Sequence, residues 1–439
     1  MTARYLAVRA LLHQEQAGYA NLVLDAELRR CAPPLPAREA AFAARIFYTV
    51  LERQHLLDWM LGRYLQQPVA KLDAPVRAIL RAGLAQACFM AVPLPAAVNE
   101  SVKLTRAYGK SSASGMVNAV LRRAAALKPQ AADFKDLPGR LEIYYSLSTP
   151  VAALLAGQYG AEAQDIAAAF YAPQPTWIRV NTLKTTDAAL TEALRGEGCE
   201  VSPGPWPHCL RVGFPASPAA TEAFARGEYH VQGLPSQLAA ECIGAQPGMR
   251  VLDLCAAPGG KSLTMAEAMR DEGELLAGEA VPARLPLLEQ AFARCGVRCA
   301  RAFGGDASRP DPALAARPFD RVLCDVPCSG LGVIGKKPDI RYKDLAGLDD
   351  LTALQAAILQ NGASYLAPGG RLVYSTCTIN RGENEAVVRA FLEKEPHFVL
   401  EKPEMSLPGA QDTGFGTLFL PHRTGTDGFF VAVLAKTKG

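Results

Sequence analysis

Between Ala7 and Leu127 apolar residues recur at intervals of three and four, as in Leu51, Leu56, Leu57, Met60, Leu61 and Tyr64, and again in Val76, Ile79, Leu80 and Leu84. That interval stacks them on one face of successive helices, and the breaks at Cys31–Pro36 and Val92–Pro95 separate one helix from the next. The pattern predicts an all-helical bundle over residues 1–128. From Lys128 to Pro138 the period disappears and Pro129, Asp133, Asp136 and Pro138 gather, which reads as a linker.

Past the linker the pattern changes. A helical stretch at Val151–Tyr159, a β-like run at Thr176–Asn181, a second helix at Asp187–Glu197 and a short strand near Leu210 predict a small α/β subdomain over residues 140–226. Four apolar runs then alternate with helical stretches: Val251–Leu254, Glu274–Gly278, Asp320–Cys324 and Arg371–Ser375. Strands separated by helices imply a doubly wound sheet, so residues 227–439 read as a Rossmann-like α/β domain. The fold class is multidomain: an all-α bundle, a small α/β subdomain and a Rossmann-like domain.

Composition narrows this further. Hydrophobic residues at 49% and charged residues at 20% are the balance of a globular chain, and no apolar run long enough to span a membrane is present. The first residues carry Arg4 and Arg9 without the apolar core of a secretion signal, so a cytoplasmic location is expected. Eleven cysteines without a tight, even framework point to reduced thiols. Charge is uneven: residues 1–130 hold 17 Lys and Arg against 8 Asp and Glu, whereas the remainder holds 29 against 35. A polyanion is expected to dock on the basic helical end.

The candidate chemistry sits in the loops after the predicted strands. Val251–Leu254 runs into Cys255-Ala256-Ala257-Pro258-Gly259-Gly260-Lys261 and then a helix over Ser262–Arg270. Glycines at a helix start let a ligand approach backbone N–H groups that bind a carboxylate, as an amino-acid-bearing cofactor requires. Glu279, after the second strand, is placed to accept the hydroxyls of a ribose, and Asp306, after Gly304-Gly305, to accept an adenine amino group. No Gly-x-x-x-x-Gly-Lys-Ser/Thr string is present, which disfavours a nucleoside triphosphatase.

Two further motifs end strands: Asp325-Val326-Pro327-Cys328-Ser329-Gly330 and Tyr374-Ser375-Thr376-Cys377-Thr378. Two thiols and a carboxylate are thereby expected in the cofactor crevice. Carbon 5 of cytosine is too weak a nucleophile to take a methyl group unaided. A thiolate adding to carbon 6 makes it an enamine, and Asp325 is the nearest candidate for the acid that holds a proton on N3. The residues alone do not say which thiol attacks. Metal binding is an alternative, because Cys324 and Cys328, like Cys295 and Cys299, are four apart, but no His or carboxylate set completes a tetrahedral site.

These motifs carry a resemblance. Gly18-Tyr19-Ala20-Asn21 with Leu24-Asp25, Arg81-Ala82-Gly83, Ala96-Ala97-Val98-Asn99-Glu100 and Val117–Arg123 resemble the NusB-like RNA-binding domain, which implies Arg81, Lys103, Arg122 and Arg123 as phosphate contacts. From Val251 onward, with Pro421-His422-Arg423 and Thr426-Asp427-Gly428-Phe429-Phe430 near the end, the chain resembles the Sun/Fmu-type (RsmB) ribosomal RNA cytosine-C5 methyltransferases of the Nop2/Sun family.

The resemblance implies S-adenosylmethionine as cofactor, held by Cys255–Lys261, Glu279, Asp306 and Asp325 with Arg284 in addition. It also implies Cys377 as the nucleophile, Cys328 as the aid to product release, and 16S rRNA or a small-subunit assembly intermediate as partner; apart from the resemblance, no metal, no membrane and a monomeric protein are expected. Glu279 departs from the Asp usual in the family by one methylene. The segment around Arg179 and Asn181 is expected to grip RNA while the base is flipped. Two other readings are an RNA-binding assembly factor with a vestigial catalytic half, against which the intact Cys328, Cys377, Asp325 and Gly259-Gly260 stand, and a DNA or small-molecule methyltransferase, which substrate competition distinguishes.

Overall fold

The structure, a computed structural model, describes residues 2–16 and 20–438. Gly18 and Tyr19, part of the NusB-like signature, lie outside the described residues. The chain forms two compact units, Met1–Ala168 with Ile334–Leu345, and Ala169–Val333 with Ala346–Gly439.

The first unit is helical, with helices Ala3–Gln14, Ala20–Arg29, Ala37–Glu52, Gln54–Gly62, Ala74–Phe89, Leu94–Ala107, Ser114–Ala124 and Thr149–Tyr159. Their boundaries follow local chemistry. Thr2 Oγ1 accepts from the Tyr5 N–H at the first N-terminus, and Pro75 opens the helix Ala74–Phe89, where its missing N–H costs nothing. Leu6, Phe47, Leu57, Met60, Ile79 and Leu84 meet in one core, where truncating a residue such as Phe47 to Ala would cost about 3–5 kcal/mol.

The stretch read as a linker is not free chain. Phe134 is buried in that core, 5.1 Å from the Trp59 ring, because one aromatic side chain is enough to anchor a segment that has no period. A second departure is the segment Ile334–Leu345, distant in sequence, which belongs to this unit. Arg341 is fully buried and donates to the Tyr145 carbonyl at 2.9 Å, and Tyr342 Oη donates to the Leu51 carbonyl at 2.5 Å.

The second unit holds two sheets. Strands β1 (Thr176–Val180), β2 (Glu200–Pro203), β3 (Cys209–Gly213) and β4 (Tyr229–Val231) form an antiparallel sheet in the order β2-β3-β1-β4. Helix Asp187–Gly196 buries Leu190 and Leu194 in a core with Ile178, Val180, Leu210 and Tyr229. The subdomain boundary expected at Arg226 stops one strand short, since β4 pairs with β1; three residues are too few for a readable alternation.

The large sheet contains β5 (Arg250–Asp253), β6 (Glu274–Glu279), β7 (Ala300–Gly304), β8 (Phe319–Asp325), β9 (Leu366–Thr376), β10 (Phe398–Glu401), β11 (Gln411–Asp412), β12 (Thr417–Phe419) and β13 (Phe429–Lys436). Its order is β11-β12-β13-β9-β8-β5-β6-β7, with β10 also on β13. Strands β5 to β9 are mutually parallel, as the sequence pattern predicts. The antiparallel β10–β13 edge was not legible. β13 is buried over most of its length and reads as a continuous apolar run like the parallel strands, so its residues do not reveal that it runs antiparallel to β9.

Candidate active site

Strand β5 leads to β6 and β7 on one side, and β8 leads to β9 on the other, so the winding reverses between β5 and β8. Loops leaving the carboxyl ends of these two strands diverge and open a crevice. The Cys255–Lys261 loop follows β5, the Asp325–Gly330 loop follows β8, and Cys377 follows the neighbouring β9, where Asp325 and Ser375 are in register.

On the β5 side, Gly259 has φ +107°, a left-handed conformation that only glycine adopts without strain, and it turns the chain into the helix Gly260–Ala268. Asp253, at the end of β5, is fully buried and accepts from Ser262 Oγ at 2.7 Å; burial pushes its carboxyl up to about 7. Glu279, at the end of β6, accepts from the Val281 N–H at 2.9 Å and pairs with Arg284 at 3.1 Å, while Arg284 Nη2 donates to the Ala257 carbonyl at 2.6 Å. Arg284 thus ties the β6 carboxylate to the β5 loop. Asp306 borders a cavity of about 230 Å³ lined by Leu254, Phe303, Gly305, Pro310 and Leu314. Its carboxyl is held below the usual range by hydrogen bonds from Ser308 Oγ at 2.6 Å and Ser308 N at 3.0 Å, with Arg309 3.3 Å away. This cavity, whose lining also includes Arg309, Asp311 and Tyr365, has room for part of a nucleoside, and the Glu279 carboxylate and the helix start at Gly260 lie at the ends of the neighbouring strands.

On the β8 side, Cys328 Sγ lies 3.2 Å from Cys377 Sγ. The bond to Cys377, burial and the nearby Glu383 carboxylate all push the Cys328 thiol well above its ordinary value. Asp325 accepts from Lys261 Nζ at 2.6 Å through one oxygen and from Ser375 Oγ at 2.7 Å through the other. Lys261, expected among the cofactor contacts, is therefore turned onto the Asp325 carboxylate. Below the thiols, Gly332 N donates to the Cys377 carbonyl at 3.0 Å and Gly428 N to the Gly332 carbonyl at 2.8 Å. A Cβ on Gly428 would meet Gly332 Cα at 2.7 Å, which explains glycine in the Thr426–Phe430 motif.

Several expected contacts are elsewhere. Arg179 is buried and bonds Glu241 at 2.6 Å and Glu267 at 3.2 Å, and Asn181 Nδ2 donates at 2.8 Å to the carbonyls of both Gly227 and Cys295. Neither is a surface for gripping RNA. Sequence could not show this, because an Arg in a strand faces water unless distant carboxylates come to meet it. Arg81 is likewise interior, paired with Asp58 at 2.7 Å and Glu15 at 2.9 Å. Lys103, Arg122 and Arg123 are exposed, the last with its guanidinium 4.6 Å from the Tyr64 ring centroid.

Sequence reasoning missed the buried polar set behind the thiols: Ser329, Gln355, Thr378, Asn380 and Glu383. The one signal was the polar run Asn380–Glu385 directly after an apolar strand, which a solvated loop would show equally. Among the described residues, no group of three or more His, Cys, Asp or Glu is placed to hold a metal ion, and no helix is long and apolar enough to cross a membrane.

Residues 240–435 match the family model for 16S rRNA methyltransferase RsmB/F, residues 1–126 the NusB family, and residues 152–217 the ferredoxin-like domain of the RsmF/B-like methyltransferases. The chain is 33% identical to the probable ribosomal RNA small subunit methyltransferase B of Synechocystis sp., covering 99% of this chain and 100% of that one. It is 31% identical to ribosomal RNA small subunit methyltransferase B of Xanthomonas campestris pv. campestris over 94% of this chain and 93% of the relative. Among solved structures it is similar to PH0851, with TM-score 0.82 and 26% identity over 99% of each chain. A methyltransferase homologue from Pyrococcus horikoshii matches with TM-score 0.60 and 28% identity over 71% of this chain and 100% of that one. By the RsmB/F family model over residues 240–435 and by relatives at 31–33% identity over nearly the full length, the chain belongs to the RsmB family of S-adenosylmethionine-dependent ribosomal RNA methyltransferases.

Proposed function

We propose that the chain methylates carbon 5 of a cytosine in 16S rRNA through a transient bond from Cys377 Sγ to cytosine carbon 6. The observation that carries this reading is the 3.2 Å pair of thiols beside the Lys261–Asp325 pair, at the end of the sheet where the cofactor residues gather. Cys255–Lys261, Glu279, Arg284 and Asp306 are the cofactor contacts, with Asp325 at the join of the two sites. S-adenosylmethionine, when bound, supplies the electrophilic methyl group that carbon 5 receives.

The chain's own residues do the rest. Cys377 attacks as the thiolate and forms the S–C6 bond, and the electron pair displaced from the ring is held by a proton at N3. Asp325 with its Lys261 partner holds that proton in place. Once carbon 5 is methylated, its remaining proton passes to water, the C5–H electron pair restores the C5–C6 double bond, N3 gives back its proton, and Cys377 departs as a thiolate with the S–C6 electrons. Cys328, the sulfur nearest Cys377, serves this release. Lys103, Arg122 and Arg123 on the helical unit contact RNA phosphates. The test is transfer of labelled methyl from S-adenosylmethionine to unmodified 16S rRNA, with nucleoside analysis of the product. Labelled 5-methylcytidine supports the reading, and label in DNA alone, or none in RNA, overturns it.

A further inference from the structure

Six residues after Cys377, Glu383 is fully buried, and its carboxylate accepts four hydrogen bonds. Oε2 accepts from the Ser329 backbone N at 2.8 Å and from Gln355 Nε2 at 2.9 Å. Oε1 accepts from Ser329 Oγ at 2.5 Å and from Asn380 Nδ2 at 3.0 Å. Two donors on each oxygen satisfy a carboxylate, and an ionised carboxylate is the side chain that accepts at every position without donating at any.

The donors come from both thiol loops. Ser329 is the residue after Cys328, and its hydroxyl also meets Thr378 Oγ1, next to Cys377, at 2.8 Å. Asn380 follows Cys377 by three residues. Gln355, on the helix Leu348–Tyr365, donates in addition to the carbonyl of Pro327, the residue before Cys328, at 2.9 Å. Tyr374 Oη donates to the Glu383 carbonyl at 2.6 Å and fixes the acceptor itself to β9. The Cys328 loop is thus tied to Glu383 directly after its sulfur, through Ser329, and by way of Gln355 before it, at Pro327, while Asn380 ties Glu383 to the Cys377 loop. Glu383 bonds to neither sulfur.

We infer that Glu383 is a positioning residue, which joins the two thiol loops and thereby sets the separation of Cys328 from Cys377. This rests on the proposed function only for its catalytic consequence. Loops joined through a buried, fully satisfied network hold reacting groups in register, and a displacement of about 1 Å at a reacting atom costs on the order of 10²-fold in rate.

Two variants test it, each with two readouts. Glu383→Gln keeps the volume but sets N–H groups against donors, while Asn380→Ala keeps the charge and removes the Nδ2 bond to Glu383 together with the Oδ1 acceptor of the Gly382 N–H. The first readout needs no methyl transfer: the pH dependence of alkylation of Cys328 and Cys377, followed by peptide mass. The expected result is a Cys328 profile moved down by about one pH unit or more in Asn380→Ala, where the Glu383 charge is kept and the thiol loses its bond to Cys377; in Glu383→Gln the removed charge lowers it as well. The second is the kinetic split: kcat lower by about 10²-fold in Glu383→Gln and by about tenfold in Asn380→Ala, with KM for RNA and cofactor affinity held within about twofold.

An unchanged Cys328 profile in Asn380→Ala, or an unchanged kcat in Glu383→Gln, overturns the inference. If Glu383→Gln does not fold, Asn380→Ala decides by both readouts. If the wild type transfers no methyl group, the proposed function fails and the alkylation profiles alone decide the role of Glu383.

Discussion

The sulfurs of Cys328 and Cys377, 49 residues apart in the chain, lie 3.2 Å from each other, a distance at which one proton serves both. The two strands that deliver them, β8 and β9, are adjacent and parallel, so residues just past their carboxyl ends meet across the crevice. The bond to Cys377, burial and Glu383 disfavour charge on Cys328, so the proposed function gives the two thiols unequal roles, with Cys377 the one that attacks.

Unequal roles predict unequal mutants. Cys377→Ala should lose methyl transfer altogether, since under the proposed function it is Cys377 that makes the bond to carbon 6. Cys328→Ala should still form that bond and fail to break it, leaving a protein–RNA adduct that survives denaturing electrophoresis. An adduct from Cys377→Ala, or full turnover by Cys328→Ala, would reverse the assignment.

Asp325→Asn should lower kcat by roughly 10²–10⁴-fold, the usual range for a positioned proton-transfer group. The substitution keeps an acceptor for Ser375 but removes the charge that holds Lys261 at 2.6 Å. Cofactor affinity, measured by calorimetry, should change much less than kcat. An equal loss in both would make Asp325 a binding residue only.

RNA affinity should depend on the exposed Lys103, Arg122 and Arg123 and not on the interior Arg179. Replacing the three by Ala should weaken binding and flatten its salt dependence, by a slope of about 0.7 for each phosphate that is no longer neutralised. Filter binding at several salt concentrations reads both effects. An unaltered slope places the phosphate-binding cations elsewhere.

Burial pushes the His230 imidazole down to about 3, helped by the Arg179 and Arg294 charges, with the Glu267 carboxyl 3.6 Å from its Nδ1. In the unfolded chain it takes a proton near its ordinary 6.5, so its contribution is fully present above that pH and is lost as pH falls toward 3. Wild type relative to His230→Gln should therefore lose about 1.4 kcal/mol per pH unit below 6.5, read by urea denaturation at a series of pH values. A constant difference between the two proteins across that range would contradict a neutral, buried imidazole.

Local period and local chemistry were enough to read much of this protein from its residues. Apolar spacing marked the helical bundle, because burial of one face leaves a regular trace, and short apolar runs between helical stretches marked the parallel strands β5, β6, β8 and β9, which are covered on both faces. The loops Cys255–Lys261, Asp325–Gly330 and Ser375–Thr378 were legible because they follow those strands, and the carboxyl ends of parallel strands are where such folds place ligands.

Where the charged and buried polar residues go was settled only by the folded chain. Arg179 and Arg81 read as surface cations and turned out to be interior, since only the fold brings Glu241 and Glu267 to one and Asp58 and Glu15 to the other. Glu383 lies in a polar run that drew no reading from the sequence, and it accepts from partners 3, 28 and 54 residues away. A buried charge costs several kcal/mol unless its partners surround it, and partners at such separations leave no periodic mark on the chain.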